Sequence, residues 1–364
     1  MGAPSRRRGP CLRQTTRRLS MKVGIVGVGY VGTACAKAML LRGSCQEIAL
    51  IDRPERERHT RGVRNDLSHG EPLCPHMRLT VGEYADLKDA DVVVITAGIN
   101  EKEGGAIDRK DPWGRQRLLP KNAAVYRNVV PQIVKQSSKV PIVVVTDPPD
   151  SLAEVAREEV RKSGGANPIV STGTFLDTLR FRIQIAQRLD CDTRSVDGYV
   201  VGEHGKTQVY LWSSVRIGGI PVSELIPSSY ADAAEFRSEV MSGVIDANID
   251  IIDATDASQH GIGIVTTRIV EAILGDERYV APVGIWHEEF GVTLSLPSKI
   301  RKGGVVEVLP RPAPSTQEES REEDALRASA AYIAEATERD RNGSGFDQPP
   351  SLTWPEWCVR IRTV

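Results

Sequence analysis

The chain has 364 residues, with 47 lysines and arginines against 48 aspartates and glutamates, a formal net charge of −1. So even a balance offers no global field for nucleic acid or a membrane surface, and no apolar run reaches the roughly 18 residues that a membrane-crossing helix requires. The length suffices for two domains with a sizeable core. Six scattered cysteines, with no C-x-x-C pair, suggest neither a metal site nor a redox motif and suit a reducing compartment.

Residues 1–20, "MGAPSRRRGPCLRQTTRRLS", carry six arginines and no acid. This N-terminal extension suits a targeting segment or an over-long start, because Met21 opens a clean strand, "MKVGIVGVG". Apolar runs at Met21–Gly29, Gln46–Ile51, Asp91–Ala97 and Val140–Thr146 then alternate with helix-forming stretches at Tyr30–Arg42, Ala123–Gln136 and Ser151–Lys162. The alternation predicts an α/β fold, a doubly wound parallel sheet over 21–171. From 172 to 336 the pattern changes to the amphipathic "TFLDTLRFRIQIAQRL", strand-like "VDGYVVG", a helical run from Ala231 to Leu274 and alternating "GVTLSLPSKI". That predicts a second, mixed α+β domain. Residues 337–364 read as a Gly/Pro-rich tail, with Trp354 and Trp357 as candidates for packing back onto the body.

The first strand ends in "GVGYVG", a G-x-G-x-x-G turn made by Gly27, Gly29 and Gly32. The first glycine makes the strand-to-helix turn, the second lets a diphosphate approach backbone N–H groups, and the third permits close helix–strand packing. The helix N-terminus favours the negative charge. Asp52 ends the next strand, where it would accept hydrogen bonds from an adenosine ribose and repel a 2′-phosphate. NAD is therefore favoured over NADP, although Arg53, Arg56 and Arg58 follow and soften that repulsion.

Three further stretches carry candidate chemistry. "VVGEHGKTQVY" sets His204 between glycines after an apolar strand; a lone histidine is more often structural than catalytic. "TFLDTLRFR" places Asp177 and Arg180 on one helix face, which as a surface pair would contribute only about 0.2–0.5 kcal/mol. Flanking Leu176, Leu179 and Ile183 argue that part of this face is buried. The loop "TAGINEKEGGAIDRKDPWGRQRLLPKN" spends a tryptophan, Trp113, among many charges, with Arg115 and Arg117 after it.

"GVGYVG", "NDLSHG", "DVVVITAG", "GTFLDTLRFR" and "GEHG", in this order, resemble the L-lactate/L-malate dehydrogenase family, with the lactate side closer. Nucleotide-sugar dehydrogenases share the "GYVG" turn but give no account of "GEHG" or "GTFLDTLRFR". The resemblance implies a Rossmann NAD domain whose cofactor contacts are Gly27, Gly29, Val31, Gly32, Asp52, Thr96, Ala97, Gly98 and Asn122. It implies that His204 carries the proton, Asp177 orients it, Arg180 grips the substrate carboxylate and Arg115, with Arg117 as second choice, polarises the carbonyl. Asp147, Trp113 and Ser258 would complete the substrate side. "W-x-R-x-x-L-L-P-x-N" looks like the lengthened loop of apicomplexan lactate dehydrogenases, which places a tryptophan over the substrate methyl; the alternative is that Trp113 anchors the loop on the body.

The resemblance also implies a small 2-oxo or 2-hydroxy acid as partner, a homotetramer or homodimer, and a cytoplasmic place, or a mitochondrial one if residues 1–20 are a targeting segment. Departures from the family are Asp147 for an asparagine, Ser258 for a threonine, Lys206 for an acid, and Lys102 but no arginine at the loop's start. Arg182 matches one residue of a sugar-bisphosphate effector site, whereas Asp197 stands where that site needs a histidine. The reading is an NAD-dependent 2-hydroxy acid dehydrogenase, L-lactate type first and L-malate type second, with a catalytically weakened NAD-binding protein as the alternative of another class.

Overall fold

The computed structural model describes residues 21–245 and 247–351; residues 1–20, Trp354 and Trp357 lie outside them. The strands β1 (Lys22–Val26), β2 (Glu47–Ile51), β3 (Arg78–Val81), β4 (Val92–Ile95), β5 (Ile142–Val144) and β6 (Ile169–Ser171) pair in parallel in the order 3-2-1-4-5-6. Every residue of β2, β4 and β5 is buried, which is why these strands read as continuous apolar runs rather than as alternation. The crossovers are α1 (Tyr30–Arg42), α2 (Glu57–Gly70), α3 (Glu101–Gly104), α4 (Leu119–Gln136) and α5 (Pro149–Lys162). Strand order reverses between β1 and β4, the place where open sheets of this kind bind ligands.

The second half begins with α6 (Phe175–Arg188) and five two-residue strands: β7 (Val196–Asp197), β8 (Val200–Val201), β9 (Val209–Tyr210), β10 (Arg216–Ile217) and β11 (Ile220–Pro221). Helices α7 (Ala233–Ile245), α8 (Ala247–Thr255) and α9 (His260–Leu274) follow, then β12 (Tyr279–His287), β13 (Val292–Arg301), β14 (Gly304–Val308) and α10 (Gln317–Asn342). β12 pairs antiparallel with β6 at Gly284 and Ser171, so β12–β14 extend the first sheet to nine strands. One core cluster likewise spans both halves, joining Val23, Ile25 and Val94 to Val265, Ile269 and Val283.

Two sequence expectations shift. The helical run 231–274 is interrupted at Asp256, whose φ of 64° is left-handed and incompatible with a continuing helix, and Ala257–Gln259 lead into α9. The expected tail boundary at 337 falls inside α10, which runs to Asn342 and stops at Gly343, where a φ of 66° lets the cap N–H reach Arg339 and Asp340 carbonyls.

The larger correction concerns Trp113. Its ring is fully buried against α10, stacked on Tyr332 at 5.3 Å and meeting Phe346 edge-on at 4.9 Å. The indole N–H donates to the Gln348 carbonyl at 2.6 Å, and the Tyr332 hydroxyl donates to the Trp113 carbonyl at 2.8 Å. A ring this large gains most where it is wholly buried with an acceptor for its N–H, and Tyr332 of α10 together with Phe346 and Gln348 just beyond that helix supplies both. Trp113 anchors the loop instead of covering a substrate. Trp113→Ala is expected to cost about 3–5 kcal/mol of unfolding free energy, read by urea denaturation; a loss under about 1 kcal/mol, the size for a solvent-facing ring, would contradict this placement.

Candidate active site

The glycine turn has the form a dinucleotide needs. Gly27 sits at φ +100°, and a Cβ there would meet the Ala97 backbone N at 2.4 Å; on Gly32 a Cβ would lie 2.0 Å from the Gly27 oxygen. At Gly29 a Cβ would meet nothing within 4 Å, so open space faces the start of α1. The first turn of α1 has no side-chain cap and no acid, which leaves its N–H groups for a diphosphate. Asp52 holds the turn by accepting from the Val28 N–H at 2.9 Å, and Arg56 pairs with it at 3.1 Å. Thr96 donates to the Gly27 carbonyl at 2.6 Å, Val31 is half-buried in the first turn of α1, and Ala97 and Gly98 follow β4 at the crevice. These residues fit a bound dinucleotide.

Asn122 does not join them. It is fully buried, its side-chain oxygen accepting from Ile99 N–H at 2.8 Å and its amide donating to the Asp147 carbonyl at 2.7 Å. With both ends of the amide occupied, it ties the loop's start to the end of β5 rather than meeting a cofactor.

The chemical residues converge below the loop. His204 follows β8, and Asp177 stands in the first turn of α6, which Thr178 ties to β8 through both the N–H and the carbonyl of Val200. The Nδ1 of His204 meets the Asp177 carboxylate, whose other oxygen takes Arg180 Nη1 at 3.2 Å. On the opposite edge of the ring, Nε2 lies 2.9 Å from Arg115 Nη1 and 3.7 Å from Asp147 Oδ1, and Arg115 Nε reaches Asp147 at 3.3 Å. Arg117 points elsewhere, paired with Asp111. Ser258 lies half-buried between α8 and α9, two residues after the Asp256 that takes Lys102. Arg182 and Asp197 pair at 3.3 Å.

Burial, the largest influence on His204, lowers its pKa and Arg115 adds to that, but the charge and hydrogen bond of Asp177 together with the charge of Asp147 leave the net shift upward. Burial raises Asp177, yet His204, Arg180 and Arg115 hold it at about 2. The pair is thus an imidazole whose protonated form is favoured by a carboxylate that stays ionised, able to take or give a proton at Nε2.

Sequence reasoning missed the groups that hold these in place. Asp150, the last acid of "VVVTDPPD", is 1% exposed, accepts from the His204 backbone N–H at 2.8 Å and from Ser171 at 2.7 Å, and burial pushes it up to about 7. Gln116 is buried between Ser151, at 2.8 Å, and Glu203, at 3.1 Å. Glu203 also accepts from the Thr207 N–H and hydroxyl, both at 2.7 Å. Glu101 turns inward as well and shares a hydrogen bond with Asp147. An acid at the head of the helix that follows "VVVTDPP" was the available signal for Asp150; Glu101 and Gln116 had none.

A dinucleotide cradle that opens beside a buried His–Asp pair and two guanidinium groups defines a class, the nicotinamide-dependent dehydrogenases of small acids. The comparisons narrow it. The lactate/malate dehydrogenase NAD binding domain matches residues 21–168, and the lactate/malate dehydrogenase alpha/beta C-terminal domain matches residues 174–338. An L-lactate dehydrogenase of Deinococcus radiodurans is 37% identical over 290 residues, covering 79% of this chain and 91% of the relative. One from Chloroherpeton thalassium is 35% identical over 317 residues, covering 87% and 98%. A solved lactate dehydrogenase from a Medee basin deep-sea metagenome library matches with a TM-score of 0.77 at 31% identity, over 88% of this chain and 99% of that one. The chain belongs to the lactate/malate dehydrogenase family and is an NAD-dependent L-2-hydroxy acid dehydrogenase.

The upward shift of His204 has a direct test. Its imidazole, followed by NMR, should lose its proton above the ordinary value of roughly 6.5. Asp177→Asn should move that titration down most and Asp147→Asn by less, because both carboxylates favour the imidazolium and Asp177 contributes more. Titrations that superimpose in all three proteins would exclude the assigned electrostatics.

Proposed function

We propose that the enzyme interconverts a small 2-hydroxy monocarboxylate and its 2-oxo acid, of the L-lactate/pyruvate type rather than the L-malate/oxaloacetate type. NAD, when bound, takes the hydride from C2 or returns it. His204 accepts the hydroxyl proton at Nε2 in oxidation and donates it in reduction, a contribution of about 10²–10⁴ in rate. Asp177 orients the imidazole and stabilises its charged form. Arg180 binds the carboxylate with paired hydrogen bonds, and Arg115, facing the same Nε2, polarises the carbonyl. Burial of these groups strengthens each interaction.

One observation carries the choice of a monocarboxylate. The charges beside Arg115 that the substrate does not use are carboxylates, Asp147 and Glu101, and the nearby Lys102 ammonium is held by Asp256. A second substrate carboxylate would be desolvated there against like charge. The L-lactate dehydrogenases among the relatives agree with this. A homodimer or homotetramer and a cytoplasmic place belong to the same reading, and the free cysteines Cys35, Cys45, Cys74 and Cys191 fit the reducing compartment.

Pyruvate should exceed oxaloacetate in kcat/KM by at least about tenfold, the effect of a mispaired charge worth ~1.4 kcal/mol; the reverse order in an NADH-consumption assay overturns the monocarboxylate assignment. His204→Asn should lower turnover by at least about 10² while NADH affinity, followed by fluorescence, stays near that of the parent. A variant keeping more than about a tenth of the rate would be incompatible with that role. Failure of the parent enzyme to turn over any 2-oxo acid, with NADH still bound, would favour the catalytically weakened binding protein.

A further inference from the structure

We infer that Glu101 and Asp147 form an acidic wall at the substituent end of the substrate site, and that the preferred substrate is an L-2-hydroxy acid bearing an ammonium group close to C2. This rests on the dehydrogenase reading above and names the substrate class of that same site.

The placement comes first. Glu101 opens α3 beneath the cap of Asn100, whose side chain accepts from Glu103 N–H. Its neighbours Lys102 and Glu103 are exposed, whereas Glu101 is half-buried and shares a hydrogen bond with Asp147. Asp147 in turn lies 3.3 Å from Arg115 Nε and 3.7 Å from His204 Nε2, so the Glu101–Asp147 pair adjoins the groups that meet the substrate carbonyl.

Charge balance comes second. Arg115 and Arg180 already face Asp177 and Asp147, and the substrate carboxylate joins them. With a methyl substituent, as in lactate, the cation that acts on Glu101 is Arg115, already shared with Asp147, and burial and the neighbouring Asp147 push the Glu101 carboxyl up to about 7. An ammonium group brings a fixed positive charge, hydrogen-bonded to two carboxylates.

The reaction is unchanged by the substituent. The C2–H bond breaks, its electron pair leaves as hydride to NAD, the hydroxyl proton passes to His204, and the C2–O bond becomes a carbonyl. The ammonium takes no part and serves only recognition.

The test uses the full chain with NAD and four probes: L-lactate, L-malate, L-isoserine, which is lactate with an aminomethyl group, and (S)-4-amino-2-hydroxybutanoate. One of the two amino compounds should exceed lactate in kcat/KM by at least tenfold, mainly through KM. Glu101→Gln should bring that ratio to one or below, with NADH binding by fluorescence reporting that the variant is folded. Lactate preferred over both amino compounds, or a ratio unmoved in Glu101→Gln, overturns the ammonium assignment and leaves the dehydrogenase reading intact. Oxidation of none of the four by the parent enzyme overturns both.

Discussion

The Arg115 guanidinium lies out of water among four carboxylates, those of Asp147, Asp177, Glu101 and Glu203. A cation in such a place must be paired, because leaving it bare costs several kcal/mol. Each partner arrives on a different element: Asp147 at the end of β5, Asp177 on α6, Glu203 after β8, Glu101 at the head of the loop. None of these segments can shift without unbalancing the others. The same arrangement presses the guanidinium against Nε2 of His204, so electrostatic necessity and catalytic position coincide.

Holding Arg115 there requires the loop to be fastened on both sides of it, and it is. Trp113 is locked against Tyr332 of α10 and against Phe346 and the Gln348 carbonyl that follow that helix. Gln116 is locked into the body by Ser151 and Glu203. Glu203 in turn shares Thr207 and Ser329 with α10, so the C-terminal helix supports the histidine segment as well as the loop. A helix that touches neither end of the site thus sets the position of two of its residues.

What could be read from the sequence followed from local physics. The strands of the first domain announced themselves because both faces are buried, and the glycine turn because Gly27 and Gly32 leave no room for a Cβ. Asp177 and Arg180 were legible as neighbours because three positions along a helix share a face. Trp113 was not, since its partners lie more than 200 positions downstream and the surrounding charges described only the outside of the loop. Asn122 was misassigned for a like reason: nothing local shows that its amide is spent on Ile99 and Asp147. The charged helix α2 offered only a thin apolar stripe, Val63 and Leu67 on the face of the buried Thr60, by which to find it. Asp150 and Glu203 looked like flanking polar residues, because burial of an acid is a property of the assembled fold.

The nine-stranded sheet has a mechanical consequence. Since β12 continues the parallel strands at β6, and a single apolar cluster runs beneath both halves, the two units share one beam rather than meeting at a hinge. Bending them apart would tear strand pairing and expose core side chains, a motion on the scale of unfolding rather than breathing. With the two halves fixed to one another, the lining of the site is set segment by segment, by the 99–118 loop on one side and by Ile245, Asn248 and Ile249 on the other. The stiffness of the loop is set largely by an indole ring turned away from the chemistry.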